Sequence, residues 1–146
     1  MSCRSLAFAL AAVSAAFIAG PASAARITVT IDGVHSDKGN VFIGLYASPA
    51  KFLHGSQTGA TIKVPASTSP ITVTFHHIKP GTYAVGAFHD ENANDHLDTN
   101  ALGFPVEGYA LSNGIHPMFS PPDFYDCAFK IGDGGEDKPV ELHIKY

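Results

Sequence analysis

Tryptophan is absent from the 146 residues, and cysteine occurs only twice, at Cys3 and Cys127. No C-x-x-C, H-x-H or H-E-x-x-H spacing is present, which removes the commonest signatures of a zinc or redox site. Charge is sparse, at 15% of residues against roughly 25% in an average soluble domain. Basic residues number 9 and acidic residues 13, for a net charge of −4. An acidic chain has no electrostatic reason to seek nucleic acid or an anionic membrane surface. Hydrophobic residues still make up 45%, which argues against intrinsic disorder. There is no G-x-S-x-G elbow, no P-loop and no G-x-G-x-x-G, so no common catalytic or nucleotide-binding signature is met.

One long apolar run exists, Leu6 to Ala19, and its 14 residues fall short of the ~20 that a spanning helix needs. Arg4 precedes it, Gly20-Pro21 breaks it, and Ala22-Ser23-Ala24 follows with small-x-small spacing. This is the layout of a secretory signal peptide over residues 1–24, cleaved after Ala24. Export to the periplasm or beyond is the expectation, with no membrane span afterwards. Removing 24 of 146 residues leaves 122, one domain's worth, at residues 25–146. Arg4 leaves too, so the net charge falls from −4 to −5. Cys127 then stands alone, which excludes an internal disulfide, and its apolar neighbours favour a buried, inert thiol.

The remaining chain has a period of two. Ile27-Val29-Ile31, Val41-Ile43-Leu45, Ile71-Val73-Phe75, Tyr83-Val85-Ala87 and Val140-Leu142-Ile144 each alternate with a second set of side chains. That is the pattern of half-buried strands. Weaker strands are expected at Thr61–Val64 and Tyr125–Ile131. Turn residues suggest two hairpins, one closed by Ser36 to Asn40 between the first two strands, the other by Lys79 to Thr82. Ser48 to His54 has room for one helical turn with Phe52 pointing inward. The stretch from Asp90 to Asp123 exceeds the ~12–15 residues of an ordinary loop. Its Leu97, Phe104, Tyr109 and Leu111 predict an ordered segment packed on the sandwich, with a short strand near Glu107 to Leu111.

Chemistry concentrates at the start of that stretch. Asp90, Asn92 and Asn94 occupy relative positions 1, 3 and 5, His96 position 7 and Asp98 position 9. Calcium takes six to eight oxygens, and alternating Asp/Asn side chains on a curled loop can supply several. His96 would offer its backbone carbonyl, and Glu107 could replace the carboxylate missing at position 12, which is Ala101. Position 6 is Asp95 where an EF-hand has glycine, so the sharp turn falls on a residue that tolerates left-handed backbone. The candidate metal site is thus Asp90, Asn92, Asn94, His96, Asp98 and Glu107, with calcium as the ion. The same residues also fit a turn whose side chains cap their own backbone.

Three other readings stand beside these. His76, His77, His89, His96, His116 and His143 with Met118 could gather around copper or zinc. A partner could dock on an apolar patch around Phe104, Tyr109 and Phe119. Asp90 and Glu107 could act as paired carboxylates of a cell-envelope enzyme, although no spacing favours catalysis. The expectation is a binding or structural protein without enzymatic activity.

Gly39-Asn40-Val41-Phe42, Pro80-Gly81-Thr82-Tyr83-Ala84-Val85, His89-Asp90-Glu91-Asn92, Gly103-Phe104-Pro105-Val106-Glu107-Gly108-Tyr109 with Ser112-Asn113, and Pro121-Pro122 occur in order. In these motifs the chain resembles the bacterial exported family catalogued as domain of unknown function 2141, along nearly all of residues 25–146. More loosely, the P-G-x-Y-x-V strand leading into D-x-N-x-N is similar to prealbumin-like and surface B-repeat sandwiches, some of which hold calcium in such loops. The resemblance implies a fold and export, and it implies no activity. The expected fold is all-β: a single immunoglobulin/prealbumin-like antiparallel sandwich of about seven strands with one long ordered loop.

Overall fold

The computed structural model describes residues 24–53, 60–117 and 120–146. The proposed signal peptide, His54, Met118 and Phe119 lie outside them, except that Ala24 is described. Among the described residues there are eight strands: β1 Ala25–Asp32, β2 Asn40–Tyr46, β3 Ala60–Pro65, β4 Ile71–Ile78, β5 Gly81–Asp90, β6 Tyr109–Leu111, β7 Phe129–Ile131 and β8 Lys138–His143. They form a sandwich of two sheets. One has the order β4-β1-β8, the other β3-β2-β5-β6, with β7 paired to the start of β5. Pairing is antiparallel except for β1 with β8, which run parallel.

Alternation decides which side chains meet. Ile27, Val29 and Ile31 of β1, Val140 and Leu142 of β8, Val41 and Ile43 of β2 and Val85 and Ala87 of β5 share one buried cluster between the sheets. Each such Ile or Val contributes about 1.5–3 kcal/mol by leaving water. β5 is buried on its other face as well. Ala84 joins Tyr46, Phe52, Leu111, Phe124 and Cys127 in a second cluster. A 3-10 turn at Pro49–Lys51 brings Phe52 inward, as its sequence suggests.

Three local expectations are corrected. β1 and β2 do not form a hairpin, because β1 pairs with β4 and β8 while β2 pairs with β3 and β5. Ser36 to Asn40 lies in a crossover between sheets, which lets the apolar faces of β1 and β2 oppose each other across the core. The same holds for Lys79 to Thr82, since β4 and β5 also belong to opposite sheets. The strand expected at Tyr125–Ile131 splits into a one-turn helix α1, Phe124–Cys127, and β7. Asp123 caps that turn by accepting from the Tyr125 N–H at 2.7 Å, and Phe124 and Cys127, three apart, are both buried. The short strand expected near Glu107 to Leu111 is β6.

Gly39 fixes the entry to β2. Its φ is +68°, and a Cβ there would lie 1.9 Å from the Asp90 carbonyl oxygen. Gly39→Ala is expected to destabilise the protein by more than about 2 kcal/mol in urea unfolding. A loss under about 0.5 kcal/mol would mean that the two segments move apart freely.

Candidate functional site

β5 ends at Asp90, whose side chain is fully buried. One carboxylate oxygen accepts the Asn94 N–H at 3.0 Å and the other the Asp95 N–H at 2.9 Å. This curls the chain after β5. Asn92 Oδ1 also accepts the Asn94 N–H at 3.0 Å, and Asn94 Oδ1 accepts the His96 N–H at 2.9 Å. Ala93 and Asp95 complete the curl with φ of 59° and 66°. Asp95 thus takes the left-handed turn that an EF-hand gives to glycine.

The far side of the loop is tied by carboxylates. Asp98 accepts from the Asn92 Nδ2 at 2.6 Å and the Asn94 Nδ2 at 2.9 Å. Glu107 accepts the Glu91 N–H at 3.2 Å and the Asp98 N–H at 2.9 Å. The structure therefore brings Asp90, Asn92, Asn94, Asp98 and Glu107 into one hydrogen-bonded unit. The His96 residue is exposed and contributes its N–H. In this arrangement the amide nitrogens of Asn92 and Asn94, not their oxygens, face Asp98. Among the described residues, no three His, Cys, Asp or Glu side chains form a metal-holding group. Lys38, Glu91, Asn92, Asp98 and Glu107 line a shallow open depression of about 360 Å³, three acidic residues and one lysine.

A second network flanks the loop, through His89, which the sequence offered only as a copper or zinc ligand, and through His35 and Tyr146, which it did not single out. The His89 ring is fully buried, one residue before Asp90. Its Nε2 lies 2.7 Å from the Lys38 carbonyl, which can only accept, so Nε2 carries the hydrogen. Nδ1 then accepts the Tyr146 hydroxyl at 2.6 Å. That hydroxyl accepts the His35 N–H at 3.2 Å, and the His35 ring stacks on Tyr146 at 3.8 Å. His35 reaches Glu91 at 3.1 Å, and Ser36 donates to the same carboxylate at 2.9 Å. The His35 and then the Ser36 contacts hold the Glu91 carboxyl below its ordinary range, so it stays charged into mild acid.

Among the described residues the remaining histidines do not converge. His143 pairs with Asp32 at 2.6 Å, His116 stacks on Tyr109 at 4.6 Å, and His76 and His77 are exposed on β4. Cys127 is buried, and burial, then Asp126 and Asp123, push its thiol up to about 11, as an inert thiol requires. Ser112 donates to the Cys127 carbonyl and accepts the Val85 N–H, tying α1 to β5. Tyr109 is half-buried and donates to the Pro117 carbonyl. The apolar side chains most open to solvent in the long segment are Leu102, Val106 and Phe104, at 81%, 61% and 42% exposed.

Asp90→Ala leaves the Asp95 N–H without its acceptor and the Asn94 N–H with Asn92 Oδ1 alone. A loss of roughly 2–4 kcal/mol is expected in urea unfolding, with or without added cation. Wild-type stability in that variant would show that the curl holds itself.

A family model described as an uncharacterised protein conserved in bacteria (DUF2141) matches residues 29–138. No curated protein and no solved structure gave a match. The matched span runs from within β1 to the first residue of β8 and contains the whole Asp90 loop. The chain therefore belongs to the DUF2141 family.

Proposed function

We propose that this is an exported, non-catalytic β-sandwich protein whose Asp90–Glu107 loop takes up calcium. The observation that carries the reading is the depression at that loop. Glu91, Asp98 and Glu107 meet there beside Asn92, with Lys38 the one lysine or arginine among the lining residues. Like charges brought together at one surface raise the free energy of the folded state, and a divalent cation offsets that cost. The oxygen-rich, thiol-free donor set suits a hard cation better than copper or zinc. Binding requires Asn92 and Asn94 to turn their amide oxygens toward the ion in place of the nitrogens that now face Asp98. An affinity of ~10⁻⁴–10⁻³ M fits an extracellular module with few charged ligands.

Export rests on the signal-like residues 1–24. β1 begins at Ala25, so cleavage after Ala24 would remove the leader without shortening the sheet. The exported protein should show Ala25-Arg26-Ile27 as its first residues in N-terminal sequencing. Retention of Met1 to Ala24 in the cell fraction would end the export reading.

Millimolar calcium should raise the melting temperature by a few degrees, through roughly 1–2 kcal/mol of added stability. Asp98→Asn should remove that rise, because Asp98 lies on the loop's solvent side and its loss leaves the buried Asp90 anchor in place. Superimposable melting curves in calcium and in chelator would sink the calcium reading.

A further inference from the structure

We propose that Tyr146 is a positioning residue that latches both arms of the acidic loop, so that the loop opens and closes separately from the sandwich. Its phenol touches supports of both arms. The hydroxyl binds His89, the neighbour of Asp90, at 2.6 Å. The ring stacks on His35, which holds the Glu91 carboxylate. On the other side the ring packs against Gly108, where a Cβ would come within 2.5 Å of two of its atoms. Gly108 follows Glu107, which binds the N–H groups of Glu91 and Asp98, and the Gly108 carbonyl accepts the His89 N–H at 2.8 Å.

Backbone pairing sets the ring in this position. Tyr109 and Lys145 exchange N–H···O bonds at 3.0 and 3.1 Å, and the Ile144 N–H donates to the Asp32 carbonyl at 2.9 Å. Ile144 itself is buried in the inter-sheet core. Residues 144–146 thus run from the core to the rim of the depression. Tyr146 is 54% exposed, so its release uncovers little apolar surface. A contact of that kind can open without opening the core, which is the condition for a local equilibrium distinct from unfolding. The inference concerns the order of the loop and holds whether or not a cation binds there.

The test is amide hydrogen exchange on the full chain without calcium, comparing the wild type with Tyr146→Phe and Tyr146→Ala. The phenylalanine variant keeps the ring and removes both bonds of the hydroxyl, the one to His89 and the longer one from the His35 N–H. Exchange at the Glu91, Asn94, Asp95 and Asp98 amides should rise roughly ten-fold in it, the size expected for the loss of one good hydrogen bond, the short one to His89. Val29 and Ile31 in β1 should keep their wild-type rates. Wild-type rates at the loop amides would overturn the proposal. So would a rise of the same factor in the loop and in β1, which marks uniform destabilisation. Tyr146→Ala should raise the loop rates further still. If it does not fold, the phenylalanine variant decides alone.

Discussion

The Asp90 carboxylate is polar chemistry placed where water cannot reach, at the end of β5. It is tolerated because both of its oxygens meet backbone N–H donors, those of Asn94 and Asp95. Those two bonds reverse the chain as it leaves β5. Everything beyond follows from the reversal: Asn92 and Asn94 turn toward Asp98, and Asp98 and Glu91 come within reach of Glu107. Gly39 belongs to the same constraint, since only a residue without a Cβ can pass the Asp90 carbonyl at that distance.

Burial of β5 on two faces explains how such a loop is held still. Val85 and Ala87 face the inter-sheet core, while Ala84 lies in the cluster with Tyr46, Phe124 and Cys127. Ser112 bridges the second cluster to β5 by bonding Val85 N–H and the Cys127 carbonyl. A strand fixed on both faces cannot rotate to relieve strain at its end. The left-handed Ala93 and Asp95 are conformations that persist only where the surroundings over-determine them.

The strands were legible because period-two alternation is a local property of the chain. Their partners were not. Turn residues between β1 and β2 look the same whether the chain folds back in one sheet or crosses to the other. The outcome was decided by which apolar faces could meet, as Val29 and Val41 do in one core. Phe124 and Cys127 defeated the pattern for another reason. Three-residue spacing in a short apolar run is compatible with a strand and with one helical turn, and the Asp123 cap tips the balance. At the site, Asp90, Asn92, Asn94 and Asp98 were visible because they lie within nine positions. His35 and Tyr146 were invisible: 111 positions separate them, and neither belongs to a motif.

The self-capped turn and the calcium loop are not rival backbones. Both need the curl that Asp90 imposes, and they differ in which atoms of Asn92 and Asn94 face Asp98. With nitrogens inward, each amide donates one hydrogen bond to a charged acceptor, worth roughly 1.5–3 kcal/mol in a dry setting and less at an open surface. With oxygens inward, those bonds are lost together with the caps that the two amide oxygens give the Asn94 and His96 N–H groups, and on the calcium reading the cation offsets both losses. Glu91 weighs on the second side, because its carboxylate, bonded to His35 and Ser36, stands beside those of Asp98 and Glu107. Lys63 does not weigh against it, since its ammonium is engaged by Asp95 on the outside of the curl. On the calcium reading, the amides act as the switch, and the ion's free concentration sets which of the two faces Asp98 meets.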